Sequence, residues 1–163
     1  MIYIGSFSKT LFPGLRIGYV VLPPELVDSF AALKSIVDDF SPLIDQATLA
    51  TFIESGAFYS HLRRCCKHDA ERQSFFLEQA TRFRLPLRFP VSGRGMNLVG
   101  LLPEGTNDAA LSIRLHKLGL DIPPLTRYAI QPVAPGLLFG LAAFDHQKIR
   151  EGIARMDGVF NKG

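Results

Sequence analysis

The sequence lacks any run of the ~18–20 uninterrupted apolar residues that a membrane-spanning helix needs. Its opening MIYIGSFSK has no basic segment leading into a long apolar one, as a secretory signal would. These two absences predict a soluble, unexported chain. Cysteine is scarce too: Cys65 and Cys66 are the only pair, and they are adjacent. Neighbouring residues of a helix or strand hold their Cβ atoms in directions that strain a mutual disulfide, so the pair suits a reducing cytoplasm. Neither sign of charge dominates. The net charge is +3 with acids and bases interspersed, a balance that does not by itself announce nucleic acid. What is present is a globular composition, 47% hydrophobic and 20% charged over 163 residues, able to bury a real core. There is no internal repeat and no low-complexity tract.

Two apolar, β-rich runs, MIYIGS at 1–6 and IGYVVL at 17–22, predict two short buried strands. The segment between them, SFSKTLFPGLR, contains Pro13 and Gly14 side by side, which argues for a turn and places Lys9 on a loop. After Pro24, the spacing of Leu26, Val27, Phe30, Leu33 and Val37 predicts a helix with Pro24 and Glu25 in its first turn. A second helix is expected after Ser41 as cap and Pro42 as first residue, running to about Gly56 with Leu43, Ala47, Ala50 and Phe52 on its apolar face. From Phe58 to about Phe83 there is neither proline nor glycine, and the apolar spacing predicts one long amphipathic helix. Shorter elements follow: a strand in NLVGLLP, a helix from Asn107 to Lys117, a strand-like stretch around Tyr128 to Ile130, a strand in LLFGLAAF, and a closing helix capped by Asp145 and ending near Phe160. The order is α/β and then α+β, and the expected division falls between residues 1–60 and 61–163, near the start of the long helix.

A lysine on a serine- and glycine-containing loop after a strand suits two unrelated tasks. Phosphate cradling in a P-loop wants GxxxxGK[ST], yet Ser8 precedes Lys9, Tyr3 stands at the first glycine position, and Pro13 interrupts the helix that should follow. The other task is a covalent link to pyridoxal phosphate, which needs an amine that can lose its proton and nearby groups for the cofactor phosphate. Hydroxyls and an arginine can supply that anchor.

The run Ser6-Phe7-Ser8-Lys9-Thr10, followed by Pro13-Gly14-Leu15-Arg16-Ile17-Gly18-Tyr19, closely resembles the cofactor-lysine segment of fold-type I aminotransferases. The step of seven from Lys9 to Arg16, the downstream VLPPELV and the ending GLLFGLAAFDHQKIREGIARM resemble, more narrowly, the MocR-type regulators of the GntR family. In those proteins an aminotransferase-like domain follows a winged-helix DNA-binding domain. The resemblance covers nearly the whole chain in order. It implies the C-terminal part of the fold-type I fold, with residues 1–60 a partial large cofactor domain and 61–163 the linking helix and small domain. It implies pyridoxal 5'-phosphate as cofactor, Lys9 as the Schiff-base residue, Ser6 and Arg16 on the cofactor phosphate, and a further hydrogen bond from Ser8. Arginine suits phosphate because its planar fork bonds two oxygens at once. The resemblance also implies a homodimer, a small amine or amino acid as effector or substrate, and DNA contact only through a domain outside this chain.

Such a site also wants an acid on the cofactor ring nitrogen and a surface on which the ring can stack. In the resembling family these precede the lysine, whereas only eight residues precede Lys9 here. Asp28, Asp38, Asp39 and Asp45 all follow it on expected helices or their connections and read as solvated acids. Many of these aminotransferases hold the substrate carboxylate with an arginine in a late strand, where this chain has Leu138. Leucine cannot pair a carboxylate, so Arg127 is the candidate substitute and Arg94, in SGRGMNL, a weaker one. His61, His68, His116 and His146 show no metal-ligand spacing and read as surface polar residues, and no metal is expected. Arg63, Arg64 and Lys67 read as the solvated face of the long helix.

Three functions follow as expectations. One is a pyridoxal-phosphate-dependent domain of a MocR-type transcriptional regulator. A second is a classical amino-acid aminotransferase, and a third is an inert C-terminal piece. The match to the regulators favours the first, and the absent upstream half of the site weighs against catalysis by this chain alone.

Overall fold

Residues 1–38, 41–90 and 95–160 are described in the computed structural model, and they divide into two units, Met1–Arg63 and Arg64–Gly163. In the first unit, β1 (Tyr3–Ser6) and β2 (Gly18–Val21) pair antiparallel, with Tyr3 opposite Val21 and Ser6 opposite Gly18. The expected loop between them contains a 3-10 turn, Pro13–Leu15, whose first residue has the fixed φ that such a turn accepts. Helix α1 (Pro24–Val37) starts on its proline as the sequence predicts.

Helix α2 (Leu43–Glu54) departs from expectation at its start. Pro42 occupies the cap position without a side-chain hydrogen bond. Ser41 does not cap: its Oγ accepts a 2.7 Å hydrogen bond from Lys34 Nζ instead. The stripe expected on α2 is displaced as well. Leu49 is its buried residue, whereas Leu43 and Ala50 are exposed. Gly56, at φ 76°, turns the chain out of α2, a conformation that disfavours any residue with a Cβ.

The apolar runs of both strands predict burial, but the strands are largely exposed, as is the apolar stripe of α1. Among the described residues of the first unit, Leu49 alone is buried. The physical reason is that a two-stranded hairpin buries a face only where a second layer covers it. Leu33 and Ile36 of α1 and Ile4 of β1 stand more than 60% exposed.

The second unit has a well-filled interior. Helix α3 (Ala57–Arg82) begins in the first unit and supplies Phe76 and Ala80 to the core of the second. Strands β3 (Asn97–Leu101) and β4 (Gly136–Gly140) pair antiparallel with Val99 opposite Leu138. Helix α4 (Asp108–His116) contributes Leu111 and Leu115, and α5 (His146–Phe160) contributes Ile149, Ile153 and Met156 at helical spacing. Both helices begin as their sequences predict. Asn107 Oδ1 accepts from Ala110 N–H at 2.9 Å, and Asp145 Oδ1 accepts from Lys148 N–H at 2.8 Å.

The strand expected around Tyr128 to Ile130 does not form. Leu125–Tyr128 is a 3-10 turn, and the bridge to β4 comes earlier, from Pro124 to Leu137. Asp108 accounts for the difference. Its carboxylate accepts from Thr126 Oγ at 2.6 Å, Thr126 N–H at 3.2 Å and Gly136 N–H at 3.1 Å, drawing Thr126 into a turn beside the first residue of α4. Burial by itself would raise this carboxyl, but the Thr126 hydroxyl and then the Gly136, Thr126 and Ala109 N–H groups outweigh it and hold the pKa below the ordinary aspartate value.

Candidate functional site

Between β1 and β2 the chain reads Phe7 to Ile17, closed at its base by the Phe7 N–H donating to Ile17 O at 3.0 Å. The strand register below this loop tolerates little change. A Cβ on Gly18 would stand 2.8 Å from the Gly5 carbonyl oxygen, and a Cβ on Gly5 would collide with the Tyr19 ring. Tyr19 packs against Tyr3 on the same face, and its phenol is pushed upward by the hydrogen bond with Tyr3 and then by the charge Tyr3 would carry.

The loop brings four of the five predicted site residues onto one hairpin. Ser6 ends β1, and its Oγ accepts a 3.3 Å hydrogen bond from the Ser8 N–H, which leaves the Ser6 hydroxyl proton available to an anion. Lys9 is exposed in a turn closed by the Thr10 and Leu11 N–H groups, both donating to Phe7 O, at 3.1 and 2.9 Å. Arg16 follows the Pro13–Leu15 turn, exposed, with φ 51° and ψ 29°. A left-handed backbone at a non-glycine residue is uncommon and gathers at functional sites. Lys9 and Arg16 are the only charged side chains before Glu25, so the hairpin is purely cationic.

Arg127 belongs to the second unit, exposed in the Leu125–Tyr128 turn. Arg94 and Asp39 lie outside the described residues. Leu138 lies half-buried in β4, opposite Val99. His61 is not the surface residue that the sequence suggests. It is half-buried on α3 with Nε2 2.9 Å from Thr10 O, one residue past Lys9.

No family profile matches the chain. The probable rhizopine catabolism regulatory protein MocR of Rhizobium meliloti is 37% identical over 162 residues, 98% of this chain and 33% of that protein. The HTH-type transcriptional regulator TauR of Rhodobacter capsulatus is 45% identical over 159 residues, 96% of this chain and 33% of that protein. Among solved structures, the α-aminoadipate aminotransferase LysN of Thermus thermophilus, complexed with N-(5'-phosphopyridoxyl)-L-leucine, superposes with a TM-score of 0.83 at 26% identity. That match covers 99% of this chain and 42% of LysN. The chain carries the C-terminal part of the fold-type I aminotransferase-like domain. It spans about a third of the length of the curated relatives just described. Pyridoxal phosphate is the cofactor of the fold-type I group, and the donor set of the hairpin fits the phosphate and aldehyde ends of that molecule. Arg16 and the Ser6 and Ser8 hydroxyls can donate to phosphate oxygens, and Lys9 offers an amine beside them. The hairpin has no acid for the ring nitrogen, since no Asp or Glu occurs before Glu25.

Two features escape a reading of the sequence. His61 lies 51 positions from its partner Thr10, a separation at which no local pattern points to the pairing. Asp108 sits at the first position of α4, where an acid reads as an ordinary helix-dipole residue and not as the tie between three segments.

Proposed function

We propose that the hairpin Ser6–Arg16 is the lysine and phosphate half of a pyridoxal-phosphate site in a MocR-type transcriptional regulator. The observation that carries this reading is the donor set itself. One short hairpin offers an amine, the Ser6 and Ser8 hydroxyls and a guanidinium with no carboxylate among them, while its third hydroxyl, on Thr10, donates to Phe7 O. Lys9 Nζ would hold the cofactor covalently and move a proton at the bound ligand's carbon. Arg16 and Ser6 would bind the phosphate, with Ser8 adding a hydrogen bond. When bound, the cofactor supplies an electron sink.

Sensing is favoured over ordinary transamination by Leu138. A leucine stands in β4 where a substrate carboxylate would want a cation, and Arg127 is the guanidinium we assign to a carboxylate-bearing effector instead. The effector is then a small amine or amino acid. In the whole protein a winged-helix domain outside this chain would read DNA, a second copy would complete the site as a homodimer, and a cytoplasmic setting suits Cys65 and Cys66, which are not joined in a disulfide. No helix among the described residues is long and apolar enough to cross a membrane.

Absorbance titration of the chain with pyridoxal phosphate tests the assignment. Wild type is expected to give a saturable spectral change that Lys9→Ala abolishes. Arg16→Ala is expected to weaken it about tenfold or more, the loss of one charge-assisted phosphate contact of about 1.5–3 kcal/mol. Equal titrations for wild type and Lys9→Ala would exclude the assignment.

A further inference from the structure

The turn that presents Lys9 is held at both of its shoulders by one turn of α3. Phe7, two residues before Lys9, packs edge-on against Phe58 with ring centroids 5.9 Å apart. Thr10, the residue after Lys9, offers its carbonyl oxygen to His61 Nε2 at 2.9 Å. Phe58 and His61 are three apart on α3, so they share a helix face and reach the two ends of the Phe7–Thr10 turn together. A carbonyl oxygen can only accept, so His61 Nε2 carries the hydrogen in this contact. The His61 ring is flanked by Phe52 of α2 at 6.4 Å, and Phe52 itself meets Phe58 at 6.1 Å. The turn also bonds to itself, through Thr10 N–H and Thr10 Oγ, which both donate to Phe7 O, at 3.1 and 3.2 Å.

We infer that His61 is the positioning residue for Lys9, fixing the lysine turn to α3 through the Thr10 carbonyl while Phe58 fixes Phe7. The inference rests on the reading of Lys9 as the cofactor lysine for its functional meaning, and on geometry alone for the clamp itself. An exposed lysine at the end of a four-carbon stem has many conformers, and a reactive amine is effective only when the backbone that carries it is fixed. Phe58 supplies apolar contact without direction. The His61 hydrogen bond supplies direction, because it specifies where the Thr10 carbonyl, and with it the Thr10–Leu11 peptide plane on the C-terminal side of Lys9, must point.

Amide hydrogen exchange on the full chain without cofactor tests the clamp, with His61→Ala and His61→Gln compared to wild type. Glutamine can place an N–H donor where Nε2 stands. His61→Ala is expected to speed exchange of the Thr10 and Leu11 amides about tenfold, equivalent to ~1.4 kcal/mol of lost local protection, with His61→Gln restoring most of it. Unchanged exchange at Thr10 and Leu11 would overturn the inference. So would a rise of equal size across β1, β2 and α1, since His61 would then be general packing.

Trapping with pyridoxal phosphate and borohydride separates the two readings. The clamp predicts that His61→Ala labels Lys9 several-fold more slowly than wild type while the exposed Lys67 reacts unchanged. If wild type shows no preference for Lys9 over Lys67, the cofactor reading fails, and the exchange experiment still decides the clamp. If wild type prefers Lys9 and His61→Ala labels it at the wild-type rate, the positioning role fails alone.

Discussion

Arg16 holds a left-handed backbone that costs an L-residue roughly 1–2 kcal/mol relative to glycine, and it does so in the loop that also carries Lys9. Arg16→Gly is therefore expected to raise stability by up to about 1 kcal/mol in urea melts while weakening cofactor binding, so that stability and affinity move in opposite directions. A fall in both would mean that the Arg16 side chain stabilises the hairpin itself. Asp108 makes a contrasting case, where a single side chain serves only the fold. Asp108→Ala leaves the Thr126 hydroxyl and two backbone N–H groups without their acceptor, and a loss of about 2–3 kcal/mol is expected. Because the folded pKa lies below the unfolded value of 3.8, the stabilisation is complete above that pH and is lost as the pH falls through the lower folded value. Wild type should thus lose stability relative to Asp108→Ala as the pH is lowered from the reference aspartate value of 3.8 through the lower folded value. Parallel stability curves for the two proteins over that range would refute the role given to the carboxylate.

At the scale of the element, the hairpin stands or falls with two glycines. Gly18→Ala would drive a Cβ to 2.8 Å from the Gly5 carbonyl oxygen, so the β1–β2 pairing must shift, and loss of Lys9 trapping with the second unit intact is expected. Retention of normal trapping in that variant would show that the lysine loop does not depend on the strand register. These elements also show what can be read from a sequence. Proline positions, cap residues and helical spacing acted locally, and α1, α3, α4 and α5 formed within a residue or two of where those signals place them. Burial was not legible in the same way. The strands and α1 carry apolar patterns that read as core, yet burial is a property of what covers a face, and the pattern cannot say whether a cover is there. Ser41 and the Tyr128–Ile130 stretch misled for a related reason. A hydroxyl free to cap found Lys34, and a β-prone segment was taken into a turn by Asp108, each through a partner several residues or a whole element away.

On the scale of the whole molecule, the two units differ in how much they bury. The second has Leu115 and Leu137 wholly enclosed, and Leu137→Ala is expected to cost about 2–5 kcal/mol by calorimetry or urea melts. The first exposes Leu33 and Ile36 on α1, a face that invites association. Leu33→Asp with Ile36→Asp is expected to lower the sedimentation-average mass at high concentration while leaving the second unit's unfolding unchanged. An unaltered mass would mean that this face does not mediate self-association. The proposal that the hairpin is built to hold pyridoxal phosphate through one lysine is most directly tested by peptide mapping after borohydride trapping on the full chain. The reduced phosphopyridoxyl group is expected on Lys9 at a stoichiometry near one, before Lys34, Lys67, Lys117 or Lys148 react. Label spread evenly over the exposed lysines, with Lys9 no faster than Lys67, would contradict it.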